Sequence, residues 1–280
     1  MNLMPGIAGG LVEKLSLQLH HDGGEIAVAS TFAHVRMVTS PDEHEQFDGD
    51  FFGLFAEVQP IDVVLIRDAG RSTAEKSSVY KMRGYPNKKH SDCDLSTSDY
   101  DQFAKDSGAH VDREWFEGNL NVDQYLSFRV AIALTNDHDM DGNKNRGFYF
   151  DSEAGLWEIL PWDVECSFRE NPCSGEEPLA LKVPRLFDVE YRNRYRFVWQ
   201  VHFNEDRLFA MLDEWTPLIR ELAEADVDRW AREPRLACPS CGDGPYSATP
   251  FRESSSWIKD SIRGRVRSAI REFKDPAVPW

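Results

Sequence analysis

Apolar and polar positions fall along this chain in short blocks, each with its own period. Leu11, Leu15, Leu17 and Leu19, set between Gly9-Gly10 and His21-Asp22-Gly23-Gly24, predict a short helix. His34–Thr39 and Phe51–Gln59 predict strands, separated by Ser40-Pro41-Asp42-Glu43-His44-Glu45 and Phe47-Asp48-Gly49-Asp50, which carry turn chemistry. Val63–Arg67 is a short apolar run, and Val79–Met82 predicts a strand stopped by Gly84 and Pro86. The polar stretch Asn87–Ser98 predicts a loop, and Asp99–Ser107 a short helix. The clearest helix is Val122–Thr135, with Asn121 as N-cap and Asp123 in its first turn. Its apolar residues leave little polar surface, so it should be largely buried.

Phe148-Tyr149-Phe150 and Leu156–Leu160 flank Asp151-Ser152-Glu153-Ala154-Gly155 and predict a β-hairpin. Past Pro172 the pattern turns helical: Arg192–His202, Glu205–Glu214, Pro217–Trp230 and Ser254–Phe273, with a Pro/Gly/Cys-rich loop at Glu233–Pro250. Strands in front and helices behind define an α+β class.

Composition narrows the functional classes. The 280 residues are 41% hydrophobic and 12% aromatic, enough for a packed core. The net charge of −16 repels phosphate backbones and anionic lipid, so neither nucleic acid nor a membrane surface is the expected partner. No apolar run approaches the roughly 18 residues of a membrane span, and the N-terminus lacks the basic-then-apolar pattern of a signal peptide. The five Cys are too few for a disulfide scaffold. Cys238-Pro239-Ser240-Cys241 has the spacing of half a zinc site, but no second pair completes it, so an ordinary loop is the preferred reading. His138, and the arginines Arg185, Arg192, Arg194 and Arg196, are expected to face solvent.

Chemistry concentrates in Thr135–Arg146 and, after the hairpin, in Leu160-Pro161-Trp162-Asp163-Val164-Glu165. A hairpin returns the chain to its start, so Asp163 should approach the Asp137–Asn145 loop. Clustered carboxylates repel unless a cation sits among them, and hard oxygens suit Mg²⁺, Mn²⁺ or Ca²⁺. Three readings compete. Asp137, Asp139, Asp141 and Gly142 match the start of an EF-hand loop, but Phe148 occupies the place of its closing carboxylate. A solvated acidic turn is the second. The third is phosphoryl transfer, in which one carboxylate orients the accepting hydroxyl while an Asn and a second Asp hold metal ions. The order Asp137, Asn145, hairpin, Asp163 has that logic, with Lys81 on an upstream strand as a cation for phosphates.

The chain resembles the spore-coat CotH kinase family, an atypical protein-kinase-like group. The resemblance rests on Gly53-Leu54-Phe55-Ala56-Glu57-Val58-Gln59 with Ile61-Asp62, on Val79-Tyr80-Lys81, on Asn136-Asp137 with Asn145, and above all on Trp157–Glu165. It spans most of residues 11–273. It implies one kinase-like domain over 1–280, with a reduced β-rich N-lobe at 11–90 and a mostly helical C-lobe at 91–280 carrying the catalytic loop and hairpin at 135–165. It implies transfer of the ATP γ-phosphate to Ser or Thr of a protein substrate, with Mg²⁺ or Mn²⁺. Asp137 would be the catalytic carboxylate. Asp163, Asn145 and Glu165 would hold the metal, with Asn143 an alternative to Asn145. Lys81 and Gln59 would contact the nucleotide. Family members occur in spore coats or as exported proteins.

Glu165 stands where the family shows Asp, and Gln59 where it tends to carry Glu. The family's upstream Arg-Gly-rich strand has no counterpart here. These departures define the alternative, a kinase-like scaffold without turnover.

Overall fold

The computed structural model of the chain describes residues 2–4, 10–38, 51–90, 96–168, 175–230 and 251–274. The Cys238/Cys241 pair and the turns around residues 40–50 lie outside them. After β1 (Asn2–Met4) comes α1 (Leu11–Asp22), then β2 (Ser30–Arg36) and β3 (Phe51–Val58). These strands form an antiparallel sheet in the order β1-β3-β2. Gly10 caps α1 with φ of 83°, and a Cβ there would lie 3.1 Å from Ala56 Cβ on β3, so both conformation and space call for glycine.

The run at Val63 becomes a short helix, α2 (Val63–Asp68), because Asp62 Oδ1 accepts from the Val64 N–H at 2.8 Å and caps it. Next come β4 (Ser78–Met82) and β5 (Pro86–His90), then helices α3 (Ser98–Ala109), α4 (Arg113–Asn119) and α5 (Val122–Thr135). The hairpin is β6 (Arg146–Asp151) and β7 (Leu156–Pro161). A second antiparallel sheet runs β5-β4-β6-β7. The helices α6 (Lys182–Leu186), α7 (Asp188–Val201), α8 (Glu205–Trp230) and α9 (Phe251–Lys274) complete the chain.

The architecture is α+β, with strands assigned differently from the sequence expectation. β4 and β5 pair with the hairpin through β6, not with β2 and β3. A lobe boundary at residue 90 therefore separates strands of one sheet. Asn87 and the two residues after it lie in β5, not a loop, since the bend at Gly84 folds the chain back on β4. The segments Glu205–Glu214 and Pro217–Trp230 form one helix, with Pro217 inside it. The helix α4, which the periodicity did not predict, is capped by Asp112 through the Trp115 N–H.

α5 is central, packed against both sheets' cores and the C-terminal helices. It is pinned to β7 by one side chain: Gln124 donates to the Ile159 carbonyl at 2.6 Å and accepts from the Ile159 N–H at 3.0 Å. That amide mimics the rung of a neighbouring strand and satisfies backbone groups a packed helix would otherwise strand. Gly147 on β6 has no room for a side chain, since a Cβ would sit 2.7 Å from the Tyr80 carbonyl oxygen of β4. Among the described residues no helix is long and apolar enough to cross a membrane.

Candidate active site

The loop from α5 to β6 and the segment after β7 lie side by side. Arg146 pairs with Pro161 at the base of the hairpin, and the Phe168 N–H donates to the Thr135 carbonyl at 2.6 Å. Asp137 and Asp163 sit within this frame, one on each segment. Arg146 organises the first segment from a buried position: its guanidinium donates to the Met140 carbonyl at 2.6 Å, the Lys144 carbonyl at 3.1 Å and Asn143 Oδ1 at 2.9 Å. A planar five-donor fork suits several acceptors converging on one turn.

Among the described residues, every non-glycine residue with positive φ falls in this region: Asn136, Asn143, Asn145, Asp163 and Phe168, at 56–65°. Asn and Asp tolerate the left-handed conformation through local hydrogen bonding, whereas for Phe it is strained. Strain collected at one place, held by surrounding structure, is a property of functional sites.

The electrostatics match the geometry. Asp137 is 1% exposed; its Oδ1 accepts from the Asp139 N–H at 3.3 Å, while Oδ2 is buried without a partner. Burial pushes its carboxyl up to about 6, the Asp139 N–H and His20 pull it back, and the charges of Asp139 and Asp163 add to the rise. Asp163 is raised by burial and by Asp139, against the opposing charges of Lys81 and Lys144. Lys81 therefore reaches the same region. Its Nζ lies 3.3 Å from the centroid of the Trp162 ring, a cation–π contact, and burial, with Arg83 and Lys89 nearby, lowers it to about 8.

Asn145 donates to Asp139 Oδ2 at 2.9 Å, and Lys144 pairs with Asp139 Oδ1 at 2.6 Å. Asn143 is held by Arg146, which leaves Asn145 facing the carboxylates. Glu165 is close enough to raise a carboxyl the sequence reading passed over, Glu13. Gln59 is engaged elsewhere: its Nε2 donates to Asp68 at 3.0 Å and its Oε1 accepts from the Ala29 N–H. The EF-hand reading is not supported, because Phe148 is a buried strand residue of β6 and Asp139 is tied to Lys144 and Asn145. His138 pairs with Glu176 at 2.8 Å. Arg192 pairs with Asp188 along its own helix, as a solvated face does, whereas Arg194 reaches across to Asp123 of α5.

The overlooked residues lie on α1. Glu13 is 2% exposed and neither carboxylate oxygen has a partner; burial, then Asp163, Glu165 and Asp137, raise it well above the usual carboxylate range. Ser16 and His20 are also buried on this helix. The signal was present: Glu13, Ser16 and His20 recur at helical spacing within an otherwise leucine-rich helix. A polar stripe on a helix buried on most sides faces a polar site.

The donor set is compatible with magnesium or manganese. No group of three or more His, Cys, Asp or Glu is arranged to hold a metal among the described residues. A preformed cage is not what Mg²⁺ uses, since it is commonly held by one or two carboxylates with substrate phosphates and water completing the octahedron. Asp139 raises Asp163, and both raise Asp137, so these mutually repelling carboxylates are the observation that favours a cation here.

Fold and site thus define an α+β protein with two antiparallel sheets and a buried carboxylate centre at the foot of a hairpin. The sequence is 24% identical over 270 residues to the inner spore coat protein H of Bacillus subtilis (strain 168), covering 80% of this chain and 70% of that protein. This is a distant similarity to CotH-like proteins. No protein-family model matches the sequence.

Proposed function

We propose that this chain is a CotH-like phosphotransferase that moves the ATP γ-phosphate to a Ser or Thr hydroxyl of a protein substrate. The observation carrying the reading is the convergence of two acidic segments, Asp137 before the hairpin and Asp163 after it, around buried oxygens that lack partners. Lys81 supplies positive charge at the same place.

Asp137 is the group that orients the acceptor hydroxyl and takes its proton. A carboxyl near 6 suits that role: it is ionised at neutral pH yet basic enough to accept a proton. Asp163, Asn145 and Glu165 would hold Mg²⁺ or Mn²⁺, which supplies charge neutralisation for the phosphates. Lys81, with its head against Trp162, contacts phosphate oxygens as a point charge. Asp137 is buried, so charges beside it act more strongly than they would in bulk solvent.

The test is phosphate incorporation from labelled ATP with Mg²⁺ or Mn²⁺ into dephosphorylated casein, chosen as a general Ser/Thr acceptor. Asp137→Ala and Asp163→Ala each abolish transfer while retaining the wild-type circular dichroism spectrum. Transfer retained in both folded variants would falsify the mechanism.

A kinase-like scaffold without turnover is the second reading. It is favoured by Gln59, whose amide is bonded to Asp68 and Ala29.

A further inference from the structure

Five buried polar atoms around α1 and the Asp137 loop have no protein partner besides those of Glu13: Ser16 Oγ, His20 Nε2, Glu25 Oε1, Asp137 Oδ2 and Ser167 Oγ. Three of them belong to a coherent arrangement. His20 Nδ1 lies 2.7 Å from Glu25 Oε2, and both side chains are fully buried. With Glu25 as carboxylate, Nδ1 carries a proton and donates, which leaves Nε2 as the free edge of the ring. Phe128 of α5 packs against this ring, with centroids 5.6 Å apart. Ser16 is one helical turn before His20 and on the same side of α1. Glu13, a further turn toward the helix start, is coupled to Asp163, then to Glu165 and Asp137, while His20 acts on Asp137, so the stripe lies along both acidic segments.

Buried polar groups in folded proteins are almost always satisfied, by water when no protein group reaches them. We propose that Glu25, His20 and Ser16 form, with ordered water, a buried hydrogen-bonded chain that ends on Asp137 Oδ2 and makes His20 a positioning residue for that carboxylate. The role rests on the reading of Asp137 as the proton-accepting group. One oxygen of Asp137 is held by the Asp139 N–H, and the chain would fix the other, setting the plane of the carboxylate toward the acceptor hydroxyl. His20 also opposes the effect of burial on Asp137. The other charged groups facing Asp137 are Glu13 from α1, Asp139 from its own loop and Asp163 from the segment after β7; Arg194 of α7 acts on Glu25.

The test pairs a crystal structure of the full chain, at a resolution that orders water, with kinetics of His20→Phe and Ser16→Ala. Ordered waters are expected between Ser16 Oγ, His20 Nε2 and Asp137 Oδ2. Both variants should lower kcat for Mn²⁺-ATP and casein by about tenfold or more, with KM for ATP within about twofold, because a misplaced base costs rate and not binding. In His20→Phe the acidic limb of the rate profile also moves to higher pH. Should His20→Phe fail to fold, Ser16→Ala, which removes a single hydroxyl from a helix, carries the test alone. A dry seam, or unchanged kcat in the folded variants, overturns the proposal. Ordered waters in a wild-type chain that transfers no phosphate would sink the proposed reaction and leave the hydrogen-bonded chain standing.

Discussion

The carboxylates at the site cost stability, and that cost gives a measurable signature. A carboxyl raised on folding binds more protons in the native than in the unfolded chain. Stability therefore falls as pH rises from the ordinary Asp value through the native one. For Asp137, raised to about 6, the loss develops between about pH 4 and 6 and amounts to roughly 3 kcal/mol once complete. Asp137→Asn removes the ionisation. Urea unfolding at several pH values should show the variant more stable than wild type at pH 7.5, with the gap closing toward pH 4. A gap independent of pH would mean that ionisation of this carboxyl is not its source. Glu13→Gln should shift stability in the same direction, since burial and three carboxylates raise Glu13. Residues that a fold would be more stable without are those a function retains.

At the scale of elements, legibility followed the strength of the local signal. α5 was readable to the residue because its apolar density and Asn121 cap agree, and Asn121 does accept from the Gln124 N–H. The β6–β7 hairpin was readable for a similar reason, with short apolar runs on either side of a polar turn. β5 was not, because Pro86-Asn87-Lys88-Lys89-His90 is polar and earns its strand status only by pairing with β4. α8 misled in the opposite sense, since Pro217 reads as a break. In the structure this proline is exposed and its helix continues around it, so the Asp213 carbonyl lacks its usual helical donor. Pro217→Ala restores that bond without altering packing. It should stabilise the chain by about 1–3 kcal/mol, read as a higher urea midpoint with unchanged slope. Asp137, Asn145 and Asp163 could be read as candidates because they sit in polar loops, where Asp and Asn have no structural duty within a core. Glu13 and His20 show only as a polar stripe on a leucine-rich helix, and Arg146 as one more polar residue after a polar loop, and their roles emerge only when their neighbours in space are known.

For the whole molecule, the decisive question is whether the acidic centre takes a metal–nucleotide complex. A chain of net charge −16 gathers carboxylates at its interior junction, where Glu13, Asp137, Asp163 and Glu165 influence one another across two segments and a helix. Repulsion among them falls when a divalent ion and its phosphates bind, and a ligand that binds only the native state stabilises it. At a concentration about 100 times Kd the gain is about 2.7 kcal/mol, which for a chain of this size raises Tm by roughly 5 °C. A thermal-shift series with ATP, Mg²⁺, Mn²⁺ and Ca²⁺, alone and in pairs, separates the readings. The phosphotransferase requires a large shift for ATP with Mg²⁺ or Mn²⁺, a small one for either component alone, and loss of the shift in Asp163→Asn. A scaffold without nucleotide shows none of these shifts. A rise with Ca²⁺ alone would return the Asp137–Gly142 loop to a calcium role. Asp163→Asn also removes one of the repelling charges, so its own Tm without ligand should be equal to or above that of wild type. That opposite movement, a more stable apo chain with a lost ligand response, distinguishes a missing metal ligand from a damaged fold.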